Sequence, residues 1–216
     1  MSRVYAVLAK YWLAILGFVI ILFYLTNAFQ IIDYPDQVFT VLFLAISPVA
    51  IIGVYAIGKR LAQSRHSLGI DLAKIYGIIA FGIFEMMLCI QFGSRTYFRE
   101  HLLNDAKSDV SNEIVKTIYK GVNAVQFTMD IAFDIFYCLM IVLFSVAMFR
   151  NNLFGKALGV FGVVSGLGLL TLNLWTFPYP PGESGLIDLG PLTGIWWIWV
   201  LFILIKIERR EKYSGN

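Results

Sequence analysis

Three carboxylates fall inside stretches that otherwise read as membrane-spanning helices: Glu85 in FGIFEMMLCIQF, and Asp130 and Asp134 in QFTMDIAFDIFYCLMIVLF. No lysine or arginine stands at their depth to neutralise them. An acid at the centre of a transmembrane helix costs roughly 2.5 to 3.5 kcal/mol on insertion scales, which makes each one a functional-site candidate by default. Acids without a basic partner are accommodated by a proton, by a bound cation, or by water in a vestibule.

Asn123, Gln126, Asp130, Asp134 and Tyr137 follow one another at spacings of three, four, four and three, which puts them on one helical face. A polar stripe on an apolar helix faces the protein interior or water, because lipid offers its groups no hydrogen bonds. Counting from the outer ends of their apolar stretches, the helical rise places Asp130 about 12 Å deep, Asp134 about 18 Å and Glu85 about 10 Å. Glu85 and Asp130 are therefore expected at one level. Asn27, Gln30, Gln91, Arg95 and Asn173 fall in the same outer half, whereas the inner half is apolar with Ser145 and Ser165 as mild exceptions. The expected ligand-binding set is Glu85, Asp130, Asp134, Asn27, Asn173, Gln126 and Tyr137, lining a cavity that opens outward over an apolar floor.

Other chemistries have weaker signals. The DxxxD spacing of Asp130 and Asp134 suits a hard cation, but a second acidic motif and phosphate-binding basic residues are missing at that depth, so no metal site is assigned. His66 and His101 lie in loops on opposite sides, which excludes paired haem ligation, and no cofactor is indicated. An acid among Phe81, Phe84, Phe127, Phe133, Tyr137 and Trp175 could protonate an isoprenoid, although ordinary aromatic packing has the same composition. There is no Walker loop, GxSxG or HExxH. Cys89 and Cys138 sit in apolar segments without disulfide or zinc spacing.

The elements that must position these residues are set by composition. With 59% hydrophobic and 14% charged residues and a mean hydropathy of +0.75, the 216-residue chain reads as an all-α, polytopic membrane protein. A net charge of +3 gives no nucleic-acid signature. Six stretches, 11–32, 38–58, 70–92, 122–149, 156–177 and 190–207, are long enough for a ~30 Å core, predicting a six-helix bundle in a single transmembrane domain. The basic start followed by the first run lacks a small-residue cleavage site and reads as a retained span rather than a leader. Arg3, Lys10, Lys59, Arg60, Arg65, Arg150, Lys156, Lys206, Arg209, Arg210 and Lys212 share one side, while Asp33, Asp36, Glu183 and Asp188 share the other, so both termini are expected in the cytoplasm.

Between the third and fourth spans, Phe98, Leu102, Ala106, Val110, Ile114 and Ile118 recur every four residues among charges, predicting an amphipathic outer loop helix over 93–121. The proline-rich loop FPYPPGESGLIDLGP is expected to be an extended connector, with Trp175, Trp196, Trp197 and Trp199 anchoring near the outer headgroups. Gly155, Gly159, Gly162 and Gly166 form a small-residue face for helix packing, or for a homo-oligomer contact.

From DIAFDIFYCLMIVLFSVAMFRNNLFGKALG through LNLWTFPYPPGESGLIDLGPLTGIWW, the chain resembles a bacterial membrane-protein family of six spans grouped as a domain of unknown function. The resemblance implies a bacterial cytoplasmic-membrane protein and a six-helix fold, and it brings no catalytic residues. The first functional expectation is an intramembrane carboxylate site that binds or moves a cation, proton or small cationic solute. A lipid- or isoprenoid-directed enzyme using one acid as proton donor is the second, and an accessory or structural subunit the third. Membrane lipids are the expected partners, with a cation or small hydrophobic molecule as ligand.

Overall fold

The computed structural model of the chain describes residues 40–41, 43–64, 66–98, 109–178 and 189–213. They form five helices: α1 (Ile46–Ser64), α2 (Leu68–Tyr97), α3 (Asp109–Phe149), α4 (Lys156–Thr176) and α5 (Gly190–Tyr213). Among the described residues there is no strand. Four of these helices, α2 to α5, are long and apolar enough to cross a membrane, over Leu68–Ser94, Glu113–Phe149, Lys156–Trp175 and Gly190–Ile207. Among the described residues four, not the expected six, therefore qualify as spans. The first expected span, 11–32, lies outside the described residues. The second coincides with α1, whose last turns carry Lys59, Arg60, Gln63 and Ser64 and dilute its apolar run.

α3 is the central element, packed along α2 on one side and α4 on the other, while α1 lies on α2 and α5 on α4. Its Met140, Ile141, Phe144 and Met148 are fully buried, as are Val54 of α1, Leu158 of α4 and Trp196 of α5. Lipid supplies no hydrophobic force between helices, so close approach of backbones has to carry the packing. Glycines provide it. A Cβ on Gly159 would strike the Ser145 carbonyl and Phe149, and one on Gly166 would press on Val142, Ile141 and the Cys138 carbonyl. Gly159, Gly162 and Gly166 thus seat α4 on α3, so that face is occupied within the chain. Gly155 does not share it: it caps the start of α4 at φ 83°, where a side chain would be strained.

Lys116 and Lys120 lie toward one end of the bundle, while Lys59, Arg60, Arg150, Lys156, Lys206, Arg209 and Arg210 collect at the other. There Asn151, in the α3–α4 turn, donates from Nδ2 to Ser64 Oγ at 2.6 Å and accepts from the Leu153 amide at 2.8 Å, tying α1 to the turn. At the same end His66 and Lys74 flank Asp71 at 3.0 and 2.6 Å.

At both ends of the expected amphipathic loop helix, 93–121, the backbone belongs to longer helices. α2 continues to Tyr97 and α3 begins at Asp109, so 93–97 and 109–121 extend spans, and only 99–108 lies outside the described residues. Phe98 meets Tyr119 edge-on at 5.2 Å, joining the pair. A four-residue apolar repeat fits a separate loop helix and a continuing one equally well; the hydropathy drop marks a change of surroundings, not a break in the backbone. Phe98 is buried in that contact, whereas Ile114 and Ile118 stay exposed.

Candidate functional site: carboxylates at the rim of the bundle

The helix register fixes where the acids sit. Between α2 and α3, Gly77 lies against Met140, Phe81 against Tyr137, Phe84 against Phe133 and Phe98 against Tyr119. The two helices are antiparallel, and the same register places Glu85 opposite Ala132, between the levels of Asp130 and Asp134. Between α3 and α4, Gly162 lies against Ser145 and Asn173 against Asp134, so Thr176 at the end of α4 falls opposite Ile131.

With 21 residues, α4 is about 31 Å long, close to the thickness of a bilayer's hydrocarbon core. α3 has 41 residues and, at about 61 Å, is twice that length. Its first 22 residues or so therefore run past the end of α4 together with the end of α2. The level of Thr176 is the rim of the five-helix bundle. Glu85 and Asp130 stand at this rim, and Asp134 lies about 4 to 5 Å beneath it. Measured from the end of α4, all three are shallower than when counted from the ends of their apolar stretches. Those depths were counted from where hydrophobicity begins, and α3 is already apolar before it reaches the other helices.

Along the stripe, burial increases in step: Asn123 is exposed, Gln126 and Asp130 are half-buried, and Asp134 and Tyr137 are buried. Asn173 of α4 donates from Nδ2 to Asp134 Oδ2 at 2.5 Å, while its own Oδ1 is buried without a donor among the described residues. Glu85 is half-buried, and its Oε2 is shielded from solvent and has no hydrogen-bond partner among the described residues. A buried carboxylate oxygen with no donor leaves a demand that a proton or a cation meets. Among the described residues no three acidic, histidine or cysteine groups lie close enough to hold a metal ion. Asn27 and Gln30 lie outside the described residues.

Tyr137 serves another purpose than ligand contact. Its hydroxyl accepts from Trp197 Nε1 at 3.0 Å and donates to Thr193 Oγ1 at 3.2 Å, and Thr193 donates on to the Gly190 carbonyl at 2.7 Å. This chain of bonds docks α5 on α3. Around it Phe81 packs against Trp197 at 6.2 Å and Tyr137 at 5.9 Å, and Phe133 stacks on Tyr137 at 4.9 Å. The rings fill the space beneath the acids with one another. Trp196 is fully buried and Trp197 points into this cluster, so neither serves in the expected outer belt, while Trp175 near the end of α4 is exposed. Thr193 and Trp197 had a visible signal, a polar pair four residues apart on an apolar helix, as did Asn151 ahead of a glycine-terminated turn.

No family model, curated protein or solved structure matches the chain. The functional reading rests on this geometry.

Proposed function

We propose that the chain is a multi-pass membrane protein that takes up a proton or a small monovalent cation at the rim of its helix bundle. Glu85 is the acceptor, Asp130 stands at the same level, and Asp134 is held one turn deeper by Asn173. The observation that supports this reading is the solvent-shielded Glu85 Oε2, which has no donor among the described residues, at the level between two further carboxylates. The lack of a three-ligand cluster among the described residues favours a proton or monovalent ion over a chelated divalent one.

In the same reading the chain lies in a bacterial cytoplasmic membrane. Lys59, Arg60, Arg150, Lys156, Lys206 and Arg210 mark the cytoplasmic end, both termini are cytoplasmic, and the carboxylate rim faces outward. The packed rings beneath the acids give an isoprenoid-directed enzyme less support than cation uptake.

The test is tryptophan fluorescence of the full chain in nanodiscs, titrated with acid and, separately, with sodium or potassium against choline. Trp197 lies beneath the rim and reports on it. Wild type is expected to show a saturable transition that Glu85→Gln abolishes. A Glu85→Gln titration that overlays wild type refutes the reading.

A further inference from the structure

Two grooves open at the basic end, and they differ in how many of their cations are engaged within the described residues. The first, of about 310 Å³, lies between α1 and α2 and is lined by Tyr55, Lys59, Gln63 and Lys74. Its Lys74 is committed: the ammonium pairs with Asp71 at 2.6 Å and the stem packs on Gly58. The second, of about 390 Å³, lies between α5 and the α3–α4 turn, with Trp199, Ile203, Lys206 and Arg210 on one wall and Asn152 and Leu153 on the other. Neither Lys206 nor Arg210 forms an ion pair among the described residues.

The wall on α5 is graded. Trp199, Ile203, Lys206 and Arg210 recur at four, three and four residues, so they form one stripe about 16 Å long that passes from apolar to cationic toward the basic end. Lys206 and Arg210 are exposed and one turn apart, a spacing that lets an ammonium and a guanidinium grip one phosphate. Trp199 is partly exposed below them, and Leu153 across the groove is exposed too, giving an acyl chain an apolar surface on both sides. Asn152 adds an amide at headgroup level.

We propose that this groove is a binding site for one anionic phospholipid, with its phosphate between Lys206 and Arg210 and the first part of an acyl chain along Trp199 and Ile203. Charge decides the occupant. Two cations without an ion pair among the described residues, set above an apolar slot, complement a lipid with net negative charge, and a zwitterionic headgroup would bring its own cation against them. The site is separate from the carboxylate rim, which lies at the opposite end of the bundle.

The experiment is native mass spectrometry of the detergent-solubilised full chain with added phosphatidylglycerol or phosphatidylcholine. Wild type, Lys206→Gln/Arg210→Gln, Lys206→Arg and Trp199→Ala are compared, each checked for an unchanged helical circular dichroism spectrum. Wild type is expected to retain phosphatidylglycerol over phosphatidylcholine, and the double variant to lose that preference by on the order of tenfold. Lys206→Arg should keep it, and Trp199→Ala should weaken retention of phosphatidylglycerol. Equal retention of the two lipids by wild type, or a double variant that retains phosphatidylglycerol like wild type, overturns the proposal.

Discussion

Asn173 and Asp134 face each other across α4 and α3, the carboxamide donating to the carboxylate at 2.5 Å just beneath the rim. The bond satisfies a buried acid from a neighbouring helix and at the same time fixes the register of the two helices. Asn173 is thereby a positioning residue for the carboxylate site, and its own Oδ1 has no donor among the described residues.

Replacing Asn173 with Ala strips Asp134 of this donor. A buried hydrogen bond to a charged group contributes about 1.5 to 3 kcal/mol, so Asn173→Ala is expected to destabilise the chain by that amount in a reversible unfolding titration in mixed micelles. Asn173→Asp, which sets two carboxylates against each other, should cost more. An Asn173→Ala midpoint equal to wild type would show that the bond contributes nothing net.

The seating of α4 on α3 is tested at Gly162. A Cβ there would collide with Ser145 Oγ and with Nε1 and Cδ1 of Trp196, all within the closed core, whereas one on Gly82 meets nothing within 4 Å. Gly162→Ala should lower stability by roughly 1 to 3 kcal/mol through overpacking. Gly82→Ala should show no loss, since alanine is the better helix former. Similar losses from both would mean that α4 does not depend on close approach at Gly162.

The extension of α2 beyond the rim has its own reporter. Cys89 is exposed and lies one turn past Glu85, on the far side of the rim from the bundle, whereas Cys138 is fully buried. A charged, water-soluble maleimide is expected to modify Cys89 and spare Cys138 in nanodiscs, read by intact-protein mass. Modification of Cys89 by a lipid-soluble maleimide alone would place that turn of α2 inside the hydrocarbon.

Much of this arrangement was legible in particular residues. The three-and-four spacing from Asn123 to Tyr137 identified a stripe that turns inward, and the glycines at 159, 162 and 166 identified a packing face. Depth was not legible. A hydropathy profile reports where residues stop being apolar, and α3 keeps its helical backbone well beyond the end of α4. The role of Tyr137 was hidden for a related reason: its spacing shows which face it occupies but not that Trp197 and Thr193 meet it there from a helix some sixty residues away. Both tryptophans at 196 and 197 had the composition of an interfacial belt, and only the packing of α5 reveals them as core.

The central claim is that Glu85 is the group that takes up the proton or cation, and infrared difference spectroscopy reads a carboxyl directly. Full chain in nanodiscs would be perfused between acidic and neutral buffer, and between choline and sodium or potassium, comparing wild type with Glu85→Gln and Asp130→Asn. Among the bands of the 14 acidic side chains, one paired carboxyl and carboxylate change is expected in wild type and Asp130→Asn and is missing in Glu85→Gln. A Glu85→Gln difference spectrum that superimposes on wild type would contradict the account.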